Sequence, residues 1–113
     1  KVQPLGGVRR CLELAERLGL PVVVSSALES SVGLAAGVAL AAALPELPYA
    51  CGLNTAAMFA ADVTADPLVA VDGAIAVRPV TVDADGWQAG PEATRRWLAR
   101  LDELPAELRR TGE

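Results

Sequence analysis

Histidine is absent from the 113 residues. That absence removes Ser–His–Asp and Cys–His nucleophilic designs and the usual zinc sites, so any acid–base work falls to Lys, Asp, Glu or Tyr. Cysteine is scarce: Cys11 and Cys51 stand in apolar surroundings without C-x-x-C spacing. They read as buried free thiols rather than a disulfide or metal pair, which fits a reducing cytoplasm. Basic excess is also lacking. The formal net charge is −4, and Arg95 and Arg96 are interleaved with Asp102 and Glu103 as on a solvated helix face. Such a surface argues against a nucleic-acid partner. The longest uncharged apolar run, 32–44, falls short of the about 20 residues a membrane span needs, and the opening KVQPLGG shows no leader pattern. No internal repeat or low-complexity linker is visible.

What is present is an alternation of strand and helix signals. Lys1 to Gln3 reads as a strand end, followed by a loop containing Pro4, Gly6 and Gly7. Val8, Cys11, Leu12, Ala15 and Leu18 recur at helical spacing among charged residues, and Gly19 is placed to end that helix in the left-handed conformation. The valines at 22–24 form a β-branched run suited to a parallel strand buried on both faces. A polar loop over 27–30 follows, and Ser30 or Ser31 can cap a helix over 31–44 rich in small apolar residues. Residues 49–51 form a short strand candidate that runs into Gly52-Leu53-Asn54-Thr55. This is the rhythm of a parallel α/β fold, whose ligand sites lie at the carboxyl ends of the strands. Lys1, the Ser25-Ser26 stretch with Glu29, and residues 52–55 should therefore meet on one face.

The second half differs. Residues 68–77 read as a hairpin with an Asp72-Gly73 turn. Pro91 suits the first turn of a last helix, with Ala93, Trp97, Leu98, Leu101 and Leu104 on one stripe and a frayed tail over 109–113. Two and a half parallel strands with large apolar faces cannot close a core alone. The expectation is therefore that these residues belong to a longer chain. The competing expectation is a non-catalytic module that self-associates through its sheet edges.

The run KVQPLGG, the helix after it, then LPVVVSSALESSVGLAAG and LPYACGLNTA, resembles the last third of the o-succinylbenzoate synthase family, in the muconate-lactonizing-enzyme-like part of the enolase superfamily. The resemblance covers about residues 1–72, and its most specific part is the serine pair before the ALES loop. It implies a portion of a (β/α)8 TIM-type barrel, from the end of strand six through strand eight, plus a C-terminal hairpin and helix. The expected division is 1–66 for the barrel portion and 67–113 for the hairpin and helix. It also implies a dehydratase of menaquinone biosynthesis. This lyase acts through an enediolate on a cyclohexadiene carboxylate that carries a succinyl side chain and a hydroxyl.

The family uses a divalent metal, usually Mg²⁺, held by three carboxylates on earlier strands, and a Lys-x-Lys base on strand two. None of these is expected in this chain, so the expected partners are the small-molecule substrate and the remaining N-terminal part of the same enzyme. Lys1 matches the lysine that ends strand six, on the face opposite the base, with an electrostatic role. Without the resemblance it reads as a solvated lysine. Ser25 and Ser26, ending strand seven, match positions that bind the succinyl carboxylate; capping is their alternative. Glu29 is either an acid or a hydrogen-bond acceptor that stabilises the loop. Gly52 brings backbone N–H groups to the ligand, and Leu53 lines the pocket wall. Within the superfamily, N-succinylamino acid racemase and dipeptide epimerase are rivals. The Asp-x-Asp motif typical of the epimerases is replaced here by Gly52-Leu53-Asn54-Thr55.

Overall fold

Periodicity of apolar residues produces the first helix. In the computed structural model, which describes the backbone of residues 1–111 and the side chains of residues 1–104, α1 spans Val8–Leu18. Cys11 is its buried residue, with Val8 and Leu12 packed beside it. Gly19 ends the helix at φ 60°, ψ 25°, and its N–H donates to the Ala15 carbonyl at 3.0 Å. This is the left-handed cap that the sequence predicts. The charged residues of α1 face solvent, where the Arg10–Glu13 pair (3.1 Å) contributes little to stability.

The second helix, α2, spans Ser31–Ala43 and packs on α1. It carries no charged residue and is apolar on every side, the composition of a helix built to be covered all round. Leu34, Val38, Leu40 and Ala41 are buried with Val2, Val24, Leu53, Ala56 and Leu68 in one core. Leu34, Leu68 and Val24 are each 1–2% exposed; burial of such a side chain stabilises by about 1.5–3 kcal/mol. Gly37 lets α2 approach closely, because a Cβ there would lie 2.9 Å from Leu53 Cδ2 and 3.9 Å from Val24 Cγ1.

The segments expected as strands are extended stretches without a ladder. Among the described residues the parallel pairing is a single bridge, Ser25 with Gly52. The physical reason lies in what a parallel strand requires: evenly spaced bonds to a neighbour over several residues, and cover on both faces. Residues 22–24 meet 49–52 only at their carboxyl ends, and Val23 is 49% exposed. Where residues 1–3 were expected to end a strand, a turn begins at Val2. The expected hairpin is reduced to its turn. Asp72 (φ 50°) and Gly73 (φ 79°) lie between Val71 and Ala74, which exchange backbone bonds of 2.9 and 3.0 Å. Two positive φ values in succession make this a primed hairpin turn. A short 3-10 helix, Asn54–Met58, follows Leu53.

The cap of α2 is another departure. Ser30 occupies the cap position but makes no side-chain cap bond. Asp62 replaces it from 31 residues away: its carboxylate accepts from the Ser31 N–H (2.9 Å) and from the Ser31 hydroxyl (2.7 Å). The same hydroxyl oxygen accepts from the Leu68 N–H at 2.7 Å. A carboxylate at a helix N-terminus is favourable for the helix dipole, and Ser31, fully buried, ties the chain after residue 62 to the start of α2. Arg78 holds the neighbouring turn, donating to the Asp66 carbonyl at 2.9 Å and pairing with the Asp66 carboxylate at 2.9 Å.

The chain divides into two compact units, Lys1–Asp83 and Ala84–Glu113. The first holds the whole core. The second contains α3, Pro91–Thr111, which begins on Pro91 as expected. Trp97, Leu98 and Leu101 on its apolar stripe are more than half exposed. Where a frayed tail was expected over 109–113, the helix continues to Thr111; residues 112 and 113 lie outside the described residues. Both cysteines are unpaired, Cys11 buried and Cys51 only partly so. Among the described residues no helix is long and apolar enough to cross a membrane.

Replacing Ser31 by Ala leaves the buried Leu68 N–H without an acceptor. This should cost about 1–3 kcal/mol, read as a lower denaturant midpoint and faster hydrogen exchange at the Leu68 amide.

Candidate functional site

Two backbone bonds bring the candidate residues together. The Gly52 N–H donates to the Val24 carbonyl, and the Ser26 N–H donates to the Gly52 carbonyl, both at 2.9 Å. They align the two segments in parallel, so that both deliver their carboxyl ends to the same side. A Cβ on Gly52 would meet Ser25 Cβ at 3.4 Å, so the bare backbone here keeps this approach open.

Lys1 reaches the same place. Val2 is buried in the core, and the turn after it closes through the Gly7 N–H to the Val2 carbonyl (3.0 Å). Gln3 donates from Nε2 to the Gly33 carbonyl at 3.1 Å, fastening this turn to the first turn of α2. From that base the Lys1 ammonium donates to Ser25 Oγ at 3.2 Å and to the Ser26 carbonyl. Both acceptors are neutral, so they orient the ammonium without cancelling its charge. The structure thus gathers Lys1, Ser25, Ser26 and Gly52, four of the six residues singled out from the sequence.

The two serines differ in what they have left to offer. Ser26 Oγ donates to the Gly52 carbonyl at 3.1 Å and shares a 2.7 Å bond with Thr55 Oγ1. With the serine proton directed at Gly52, Thr55 is the donor in the second bond, and the Ser26 hydroxyl is committed to holding the two segments together. Ser25 Oγ accepts from Lys1 and keeps its proton to donate to a ligand. Thr55 was not singled out as a site residue. Its signal was weak, a threonine in a stretch already expected at a strand end.

Glu29 and Leu53 border the same small cavity as Ser25 and Ser26, but each is engaged elsewhere. The Glu29 carboxylate accepts from the Ala27 N–H across Leu28, the geometry of a loop-stabilising acceptor. Its stem rests against the start of α2, where a Cβ on Gly33 would come within 2.6 Å of Glu29 Cβ. Leu53 is 5% exposed and fills the notch at Gly37, so its side chain serves the core. Asn54 accepts from the Ala70 N–H at 2.8 Å and so anchors the segment leading to the Asp72-Gly73 turn. Sequence spacing gives no hint of this contact, because the partners are 16 residues apart with no periodic relation.

The donors left to a ligand are the Lys1 ammonium and the Ser25 hydroxyl; the Gly52 N–H, expected to approach the ligand, is bonded to the Val24 carbonyl instead. The ammonium and the hydroxyl suit an anion and do not suit a metal ion. Among the described residues no group of three or more His, Cys, Asp or Glu side chains is placed to hold one.

Residues 1–87 match the family model described as Enolase C-terminal domain-like. An o-succinylbenzoate synthase of Thermobifida fusca (strain YX) is 57% identical over 115 residues, covering 93% of this chain and 36% of the relative. One from Mycobacterium leprae (strain TN) is 54% identical, covering 86% of this chain and 29% of the relative. One from Mycobacterium ulcerans (strain Agy99) is 45% identical over the whole of this chain and 36% of the relative. The chain spans about a third of the length of the curated relatives it matches.

The different commitments of the two hydroxyls predict different outcomes. Ser26→Ala removes bonds to Gly52 and Thr55 and should cost about 1 kcal/mol or more, whereas Ser25→Ala should stay within about 0.5 kcal/mol of the unmodified chain. Thermal melts of the two variants compare them directly.

Proposed function

Because the chain belongs to the enolase C-terminal domain-like family, whose domain is an α/β barrel, we propose that it forms one side of the active-site mouth of a longer o-succinylbenzoate synthase. Residues 1–66 contribute the barrel from the end of strand six through strand eight, and residues 67–113 the segment with the Asp72-Gly73 turn and the C-terminal helix. The observation that carries the reading is the Lys1 ammonium hydrogen-bonded to Ser25 beside the Gly52 backbone. Three chain segments converge there on neutral or cationic donors, as an anionic intermediate requires.

The reaction class is dehydration. The substrate loses the proton next to its ring carboxylate, negative charge develops over an enediolate, and hydroxide departs. The net loss is one water, and the ring becomes aromatic. Lys1 faces the charge as it grows, and its attraction to the intermediate exceeds its attraction to the ground state, which is the condition for lowering a barrier. An ammonium facing the ring adds a cation–π contribution. The Ser25 hydroxyl holds the succinyl carboxylate without adding charge, and Gly52, its N–H spent on the Val24 carbonyl, keeps the backbone bare beside it. Ser26 and Glu29 act from behind, Ser26 through its bonds to Gly52 and Thr55, Glu29 by closing the turn at Ala27.

The divalent metal implied by the family, usually Mg²⁺, does not fit the residues present, since among the described residues Glu29 is not grouped with other carboxylates that could hold it. Its ligands and the principal base are assigned to the N-terminal part. The unpaired thiols of Cys11 and Cys51 suit a cytoplasmic setting.

The test is a chimera in which this chain replaces the matching third of the Thermobifida fusca relative. With Mg²⁺ it should convert the cyclohexadiene to the aromatic product, followed by ultraviolet absorbance. Lys1→Ala in that chimera should lower turnover by a factor on the order of 100 or more and leave the melting temperature unchanged. Turnover equal to that of the unmodified chimera removes Lys1 from the mechanism.

A further inference from the structure

The Thr55 side chain ends on the serine pair that carries Lys1. Its Oγ1 stands 2.7 Å from Ser26 Oγ, and it is the donor, because the serine proton is directed at the Gly52 carbonyl 3.1 Å away. The two bonds are unequal. O–H···O bonds are commonest at about 2.7–2.8 Å, so the Thr55 bond is at its optimum while the one to Gly52 is stretched. Thr55 therefore fixes the direction of the Ser26 hydroxyl more firmly than Gly52 does. A hydroxyl that accepts a hydrogen bond also becomes a better donor, so the Thr55 bond strengthens the stretched one.

Thr55 can act as a fixed point because it is itself firmly mounted. It belongs to the 3-10 helix Asn54–Met58. Ala56 after it is buried in the core, and Asn54 before it accepts from the Ala70 N–H at 2.8 Å. Lys1, by contrast, has a flexible stem and three rotatable donors, so its acceptors decide where its charge stands. Those acceptors are Ser25 Oγ, at 3.2 Å, and the Ser26 carbonyl. Both belong to the dipeptide that Thr55 braces. The Ser26 N–H bond to Gly52, at 2.9 Å, joins the two segments, and the hydroxyl bonds resist rotation about that join. We propose that Thr55 is a positioning residue for the dehydration, its hydroxyl acting through Ser26 to set the place of the Lys1 ammonium. This rests on the dehydratase reading and extends it to a residue that touches no substrate.

The test uses the same chimera, with each variant assayed at a temperature where circular dichroism shows it folded. Thr55→Val keeps the shape of the side chain and removes the hydroxyl. It should lower kcat about tenfold, since small misplacements of a charge at the reacting centre are costly. KM should stay within about threefold, because the charge that Lys1 meets develops after binding. Thr55→Ser restores the hydroxyl and should bring kcat to within about threefold of the unmodified chimera. In a Lys1→Ala background Thr55→Val should change kcat by less than about twofold, as expected of residues that act as a unit. A kcat within about twofold for Thr55→Val alone overturns the proposal. So does a tenfold loss that persists without the Lys1 amine, or a serine variant as slow as the valine one, since either makes Thr55 a packing residue. Thr55→Ala serves as the second hydroxyl-free variant, and failure of both to fold overturns the proposal in the same way. An unmodified chimera that fails to dehydrate defeats the dehydratase reading itself; an active chimera indifferent to the Thr55 hydroxyl defeats only the inference about Thr55.

Discussion

The Gly52 backbone bonds in both directions, its N–H to Val24 and its carbonyl to the N–H of Ser26. This exchange sets the register between two segments 26 residues apart. Every other contact of the site depends on it. The Ser26 hydroxyl reinforces it from the side, Thr55 secures the Ser26 hydroxyl, and Lys1 reaches Ser25 only because that register turns the serine toward the amino-terminal segment. A slip of one residue would exchange which faces Ser25 and Ser26 present, since side chains alternate along an extended chain.

Helix α2 supplies the rigidity behind that register. Gly37 brings it against Leu53 and Val24, the two apolar residues flanking the bridge, and Ser31 with Asp62 ties its first turn to the following segment. Gln3 and Glu29 bind at the same end of the helix, one through the Gly33 carbonyl and the other by contact with its backbone. Loop, helix start and amino-terminal turn thus share one anchorage, which is why a polar cluster with an uncompensated ammonium can persist at the surface of a small unit.

Much of the helical architecture was legible in the residues alone. The periodic apolar positions of α1, its terminal Gly19, the uncharged run of α2 and the opening Pro91 of α3 are local signals, and local signals suffice where bonds run four residues back along the chain. The Asp72-Gly73 turn was legible for the same reason. The convergence of Lys1 with Ser25 and Gly52 was also readable, through strand–helix order and family resemblance together. The strands were less so. β-branched residues at 22–24 favour extension, but a ladder needs a partner over several residues, and the segments here meet at one bridge.

By itself, then, the amino-acid sequence determined the helices, the primed turn and the family, all of which follow from neighbours within a few positions or from motifs read in order. Tertiary structure alone decided that Asp62 caps α2, that the Ser26 hydroxyl is spent on Gly52 and Thr55 while that of Ser25 is not, and that Leu53 faces the core. Each of these turns on groups brought within about 3–4 Å by packing across 15 residues or more, or on the direction a side chain takes once its neighbours are in place, and separation along the chain encodes neither.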